Sequence, residues 1–164
     1  MWATEDWVKT AGGKVLLNKA GHSFIKERMI AEDAVFGGEN SGHYYFRDYF
    51  YLDNGLIPFL LMLEICSVSG KKLSEIYQPL FEKYPHIEET NSEVADPAAI
   101  LWKLKSSYKD GKFNELDGVT VEYPDYRFNV RTSNTQPLLR LNLEAKTPEV
   151  MKRKTAELLK MIRE

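Results

Sequence analysis

The residues best equipped for chemistry fall in two short runs. The first, Gly37-Gly38-Glu39-Asn40-Ser41-Gly42-His43, sets a carboxylate, an amide, a hydroxyl and an imidazole within five residues. Glycines let a backbone approach a ligand, and the polar side chains offer both donors and acceptors. That composition suits a loop gripping the hydroxyls of a sugar or polyol. A glycine-rich turn with solvated polar residues would look the same. The second run is Arg131-Thr132-Ser133-Asn134-Thr135-Gln136-Pro137. A guanidinium holds phosphate oxygens in pairs, while short hydroxyl and amide side chains satisfy the remaining oxygens. The plainer reading is a polar turn with a surface arginine.

A third candidate is Lys26, in Gly21-His22-Ser23-Phe24-Ile25-Lys26. A helix beginning near Ser23 would direct free N–H groups toward an anion, with Lys26 about one turn in. A solvated helix lysine fits equally. His22, beside the cap, reads as readily structural as chemical.

These groups need elements to hold them. Residues 4–11 predict a short helix with Thr4 as N-cap and Gly12-Gly13 as its stop. Val15-Leu16-Leu17 predicts a buried strand over 14–18. Phe24, Ile25, Met29 and Ile30 supply the apolar stripe of the helix after Ser23. Ala34-Val35-Phe36 predicts a central strand with the Glu39 loop at its C-terminal end, where open α/β sheets bind ligands. Residues 44–51 suit a loop or edge strand, and Asp53-Asn54-Gly55 a turn into a helix. Residues 56–68, apolar nearly all round, predict a deeply buried helix, and 73–84 another that Pro79 would shorten.

The style changes at Pro85. A strand is expected over 87–94, then a helix capped by Asp96-Pro97 with Ile100, Leu101, Leu104 and Tyr108 inward. Val119, Val121 and Tyr123 alternate with polar residues, as do Tyr126, Phe128 and Val130, which predicts a hairpin. Leu139, Leu141 and Leu143 alternate with Arg140, Asn142 and Glu144, a third antiparallel strand with one solvated face. Thr147-Pro148 opens a last helix burying Val150, Met151, Leu158 and Ile162. The expectation is an α/β and α+β chain in two domains. Residues 1–84 form a partial three-layer α/β domain. Residues 85–164 form an antiparallel sheet with two helices packed on one face.

Composition excludes some classes. With 164 residues, 43% apolar and a net charge of −2, the chain is neither disordered nor a general nucleic-acid surface. The longest apolar run, 56–66, contains Pro58 and Glu64 and is too short to cross a bilayer. No signal peptide is visible. Cys66, the single cysteine, reads as a small core residue in a reducing compartment. A cytoplasmic protein is expected, without nucleic-acid or membrane partners.

The runs Gly21 to Lys26, Gly38 to His43 and Arg131 to Pro137, in that order and separation, resemble the later motifs of the phosphohexomutase superfamily. The likeness is nearest to its phosphomannomutase/phosphoglucomutase branch and runs through essentially the whole chain. It implies a four-domain enzyme that interconverts hexose 1-phosphates and 6-phosphates through a hexose 1,6-bisphosphate, which serves as intermediate and activator. By that resemblance Glu39, Asn40 and Ser41 contact the sugar, with Glu39 and Ser41 taking its hydroxyls in either orientation. His43 lies at the reacting hydroxyl and Lys26 assists with charge. Arg131, Ser133, Asn134 and Thr135 hold the phosphate that is not transferred. Gln136 stands where many relatives carry an acidic residue.

The resemblance covers the end of domain three and all of domain four, a little over a third of the usual length. The family's Ser-His-Asn-Pro phosphoserine loop and its Asp-x-Asp-x-Asp magnesium run are not found. The expectation is therefore a substrate-recognition part, inactive alone, whose partners are hexose phosphates and the missing domains one and two. Mg2+ would be held by those domains, with no metal ligands in this chain. A stand-alone sugar-phosphate-binding or regulatory module is the alternative.

Overall fold

A computed structural model describes residues 2–133 and 138–164. The chain folds as two compact units, Leu16–Gln78 and, separately, the chain up to Val15 together with Pro79–Glu164.

The first helix, α1 (Trp2–Thr10), begins ahead of Thr4, which lies inside it rather than capping it. The segment 14–18 is not a strand. A strand needs a neighbour to exchange hydrogen bonds with, and Val15-Leu16-Leu17 has none among the described residues.

In the unit Leu16–Gln78, α2 (His22–Glu32) buries Ile25 and Met29, four residues apart on one face. Phe24 and Ile30, which the stripe was expected to include, stay exposed. Three short strands follow, β1 (Phe36–Gly38), β2 (Tyr44–Phe46) and β3 (Leu52–Asp53), with a 3-10 turn at Arg47–Tyr49. They pair antiparallel in the order β1-β2-β3. The strand expected at 34–36 is thus displaced by two residues and lies at an edge, while part of 44–51 forms the central strand. A loop as short as Glu39 to His43 can only return the chain as a hairpin, which makes β2 the neighbour of β1.

Asn54 Oδ1 then accepts from the N–H groups of Leu56 and Ile57 at 2.9 and 3.0 Å, starting α3 (Leu56–Ser69). This apolar helix was expected to be deeply buried, yet none of its residues is. Leu56 is 63% exposed and Val68 84%. An all-apolar helix is buried only where other elements surround it, and the described residues do not surround α3. α4 (Leu73–Lys83) passes through Pro79 without ending.

The second unit is a five-stranded antiparallel sheet in the order β4-β8-β7-β6-β5. Its strands are β4 (Thr90–Glu93), β5 (Lys112–Asn114), β6 (Val119–Glu122), β7 (Tyr126–Thr132) and β8 (Leu138–Ala145). The short β5 was not anticipated. Two helices pack on it, α5 (Pro97–Ser107) and α6 (Pro148–Arg163). Asp96 and Thr147 cap them, accepting from the N–H groups of Ala99 and Val150, each with proline at the first helical position. Period-two alternation turns Val121, Phe128, Val130, Leu139, Leu141 and Leu143 toward Leu104, Leu158 and Ile162, all essentially buried.

The opposite face of the sheet is polar but not simply solvated. Glu144 is 4% exposed and accepts from the Trp2 N–H at 2.9 Å and from Arg127 Nε. Arg127 also reaches Glu5 at 2.8 Å. Residues of α1 lie on this face, so a carboxylate expected in water is held between an arginine and a backbone donor.

Candidate functional site

The Glu39 loop is the hairpin turn between β1 and β2. It closes on itself, the Glu39 N–H donating to the His43 carbonyl at 2.9 Å and the Gly42 N–H to the Glu39 carbonyl at 3.0 Å. Gly42 has φ +84° with open space where a side chain would stand, a left-handed turn position that favours glycine.

Within this turn Glu39 is drawn inward, its side chain only 9% exposed. One carboxylate oxygen accepts from the Gly21 N–H at 2.8 Å, the other from the Tyr45 hydroxyl at 2.6 Å. Glu39 thereby ties the hairpin to the start of α2. Burial, followed by the hydrogen bond to Glu39, pushes the Tyr45 phenol well above its ordinary pKa, so it stays a neutral donor. Ser41 Oγ lies 2.9 Å from His43 Nδ1, which is 3.8 Å from Glu39 Oε2. The His22 ring meets that of His43 edge-on at 4.7 Å and that of Tyr45 at 5.3 Å. Asn40 is exposed at the tip. Lys26 lies one turn beyond His22 on α2, in a shallow depression shared with Ser23, Glu27 and Ile30.

The expectation of no metal ligands in this chain is corrected here. His22, Glu39 and His43 each offer a ligand atom, and these atoms lie within 4.8 Å of one another. Folding accounts for the miss: His22 and Glu39 are distant in sequence, and the Gly21–Glu39 hydrogen bond draws the helix start against the hairpin. Two imidazoles and a carboxylate suit Zn2+, Ni2+ or Cu2+ better than Mg2+, which prefers an all-oxygen octahedron.

In the other unit Arg131 stands near the end of β7, directly opposite Arg140 on β8. Glu89 takes both guanidiniums, Arg131 Nη2 at 3.2 Å and Arg140 Nη1 at 3.0 Å, and also accepts from Asn142 at 3.0 Å. Burial alone would raise the Glu89 pKa. The Asn142 amide and the two arginines outweigh it and hold the carboxyl below its usual range. Ser133 N–H donates to the Leu138 carbonyl at 3.0 Å, closing the strands, and its Oγ lies 3.5 Å from Arg140 Nη2. Asn134 and Thr135 lie outside the described residues.

The structure thus brings Glu39, Ser41 and His43 together in one unit, and Arg131 with Ser133 in the other. Sequence reasoning left His22 undecided and missed Tyr45, Glu89 and Arg140. The visible signals were a histidine directly after the glycine that begins α2, and an arginine nine residues beyond Arg131 on a strand of the same alternation.

The family model for the phosphoglucomutase/phosphomannomutase α/β/α domain III matches residues 1–84, and that for the C-terminal domain matches residues 89–161. The chain belongs to the phosphoglucomutase/phosphomannomutase family. It is 42% identical to a phosphomannomutase of Vibrio cholerae over 99% of this chain and 36% of the relative. With one from Salmonella montevideo it shares 40% over 98% and 36%. A crystal structure of a phosphoglucomutase/phosphomannomutase family protein from Burkholderia thailandensis superposes with a TM-score of 0.73 at 30% identity, covering 95% of this chain and 34% of that one. The chain therefore spans about a third of the length of these family members. No helix among its described residues is long and apolar enough to cross a membrane.

Proposed function

We propose that this chain supplies the substrate-recognition residues of a phosphomannomutase/phosphoglucomutase that interconverts hexose 1-phosphates and 6-phosphates. The observation that carries the reading is the hairpin loop of a family member in which Glu39, Ser41 and His43 converge. An ionised carboxylate has about four acceptor positions. The Gly21 N–H and the Tyr45 hydroxyl occupy one on each oxygen, which orients Glu39 while leaving capacity for sugar hydroxyls. Asn40 and Ser41 add contacts to the sugar, His43 serves the reacting hydroxyl, and Lys26 contributes positive charge. Arg131, Ser133, Asn134 and Thr135 hold the phosphate that stays in place.

In this reading residues 1–84 belong to a sugar-binding domain and 85–164 to a phosphate-binding domain. The partners are hexose phosphates, with a hexose 1,6-bisphosphate as intermediate, and the counterpart of the length that relatives have beyond this chain. The test mixes the chain with the remaining domains of a relative and follows conversion of glucose 1-phosphate to glucose 6-phosphate. Turnover is expected in the mixture and not with this chain alone. Glu39→Gln or Arg131→Met should lower it by about a hundredfold or more, as loss of a preorganised charged contact does. Vigorous turnover by the 164 residues alone overturns the recognition role.

A further inference from the structure

His22, Glu39 and His43 form a donor set that sugar recognition uses only in part. Two imidazole nitrogens and a carboxylate oxygen lie within 4.8 Å of one another. Glu39 is fixed before any ligand arrives, because the Gly21 N–H and the Tyr45 hydroxyl donate to its two oxygens. Outer partners of this kind are what orient a metal-ligating carboxylate. The site is open to solvent on its histidine side: His22 is exposed, and so is 42% of the His43 side chain. A cation held there changes what the loop offers a sugar. Each Glu39 oxygen already accepts one hydrogen bond, so coordination takes a further lone pair and offsets the negative charge. A sugar hydroxyl then loses the charge-assisted bond that a free carboxylate gives. The His43 nitrogen that binds the ion is likewise withdrawn from proton transfer.

We propose that a divalent transition-metal cation of the zinc class binds at His22, Glu39 and His43 and excludes the sugar, which makes the hairpin loop a point of inhibition by metal. The exclusion rests on the assignment of Glu39 to sugar hydroxyls. Mg2+ does not act here, since it takes oxygen ligands and leaves two imidazoles unused.

The test titrates the chain with Co2+, whose visible absorption reports its ligands, in the presence of excess Mg2+. One equivalent should bind. His22→Gln and His43→Gln should each weaken binding by more than about tenfold, since even a lost supporting partner of a metal ligand costs that much. The remaining histidine and the single cysteine are the controls, and His86→Gln and Cys66→Ser should leave the titration unchanged. No saturable uptake, or uptake that follows His86 or Cys66, overturns the metal site. Glucose 1-phosphate is then added to the cobalt-loaded chain, with inorganic phosphate as the control for simple chelation. The sugar phosphate should displace cobalt at about a tenth of the phosphate concentration, as one hydrogen bond to a charged group is enough to supply. Equal displacement by the two, or tighter cobalt binding beside the sugar, overturns the exclusion. Calorimetry of the metal-free chain separates the two claims. Glucose 1-phosphate binding that Glu39→Gln weakens keeps the sugar reading even where the exclusion fails, whereas binding indifferent to Glu39 overturns both.

Discussion

Gly118 lies against the backbone of Arg131: a side-chain carbon on Gly118 would come within 2.7 Å of Arg131 Cα and 2.4 Å of the neighbouring Val130 carbonyl oxygen. Gly118 also has φ +70°. The turn before β6 therefore sets how closely β6 approaches β7 at the position that carries the guanidinium.

Gly118→Ala should destabilise the unit by about 2 kcal/mol or more, because left-handed strain of about 1–2 kcal/mol adds to a clash with main-chain atoms that cannot swing away. Denaturant unfolding measures the loss. A change under about 0.5 kcal/mol, typical of an unconstrained surface site, would show that the strands part easily there.

Arg127→Met removes the guanidinium shared by Glu144, whose side chain is 5% exposed, and Glu5 at 22%. Breaking a buried pair from one side typically costs about 3–5 kcal/mol, since the remaining carboxylate keeps its burial penalty. The double change Arg127→Met with Glu144→Leu should recover much of that. Equal stability of the single and double variants in urea titrations would refute the account.

Glu89 predicts a pH signature. Its folded pKa lies below the unfolded value, so the unfolded chain binds more protons in that window and stability rises with pH across it. The advantage of the native chain over Glu89→Gln should be full above about pH 4.5 and shrink as pH falls through the lower folded value. A gap that stays constant on acidification, measured by chemical unfolding across that range, would mean Glu89 is not held by its arginines.

For His22, Glu39 and His43 the expected outcome is binding of Zn2+ in preference to Mg2+. Calorimetric titration of the chain should show one zinc site that His43→Ala weakens by more than tenfold. Zinc uptake unaltered in that variant would place any bound ion elsewhere.

What could be read in advance follows the range of the forces involved. Asp96-Pro97, Thr147-Pro148 and the alternation of Val119 to Leu143 are local signals, and the helices and strands they announce are present. The strand expected at 14–18 and the burial expected of α3 depend on neighbours distant in sequence, and both differ from the structure. The candidate site divides the same way. The Glu39 loop and Arg131 announce themselves by composition. Tyr45 matters because its hydroxyl meets Glu39, and Glu89 because it meets Arg131, 42 residues away. Such pairings are created by the fold and leave no mark on the local pattern.

The exposed flank of α3 has a practical corollary for anyone handling this polypeptide. With Phe59, Leu60, Leu63 and Val68 facing solvent, molecules gain by hiding them against one another, at about 25 cal/mol per Å² covered. Excluded salts such as ammonium sulfate strengthen that gain. Turbidity should rise steeply with concentration and salting-out strength, and a mild non-ionic surfactant should clear it by coating that column.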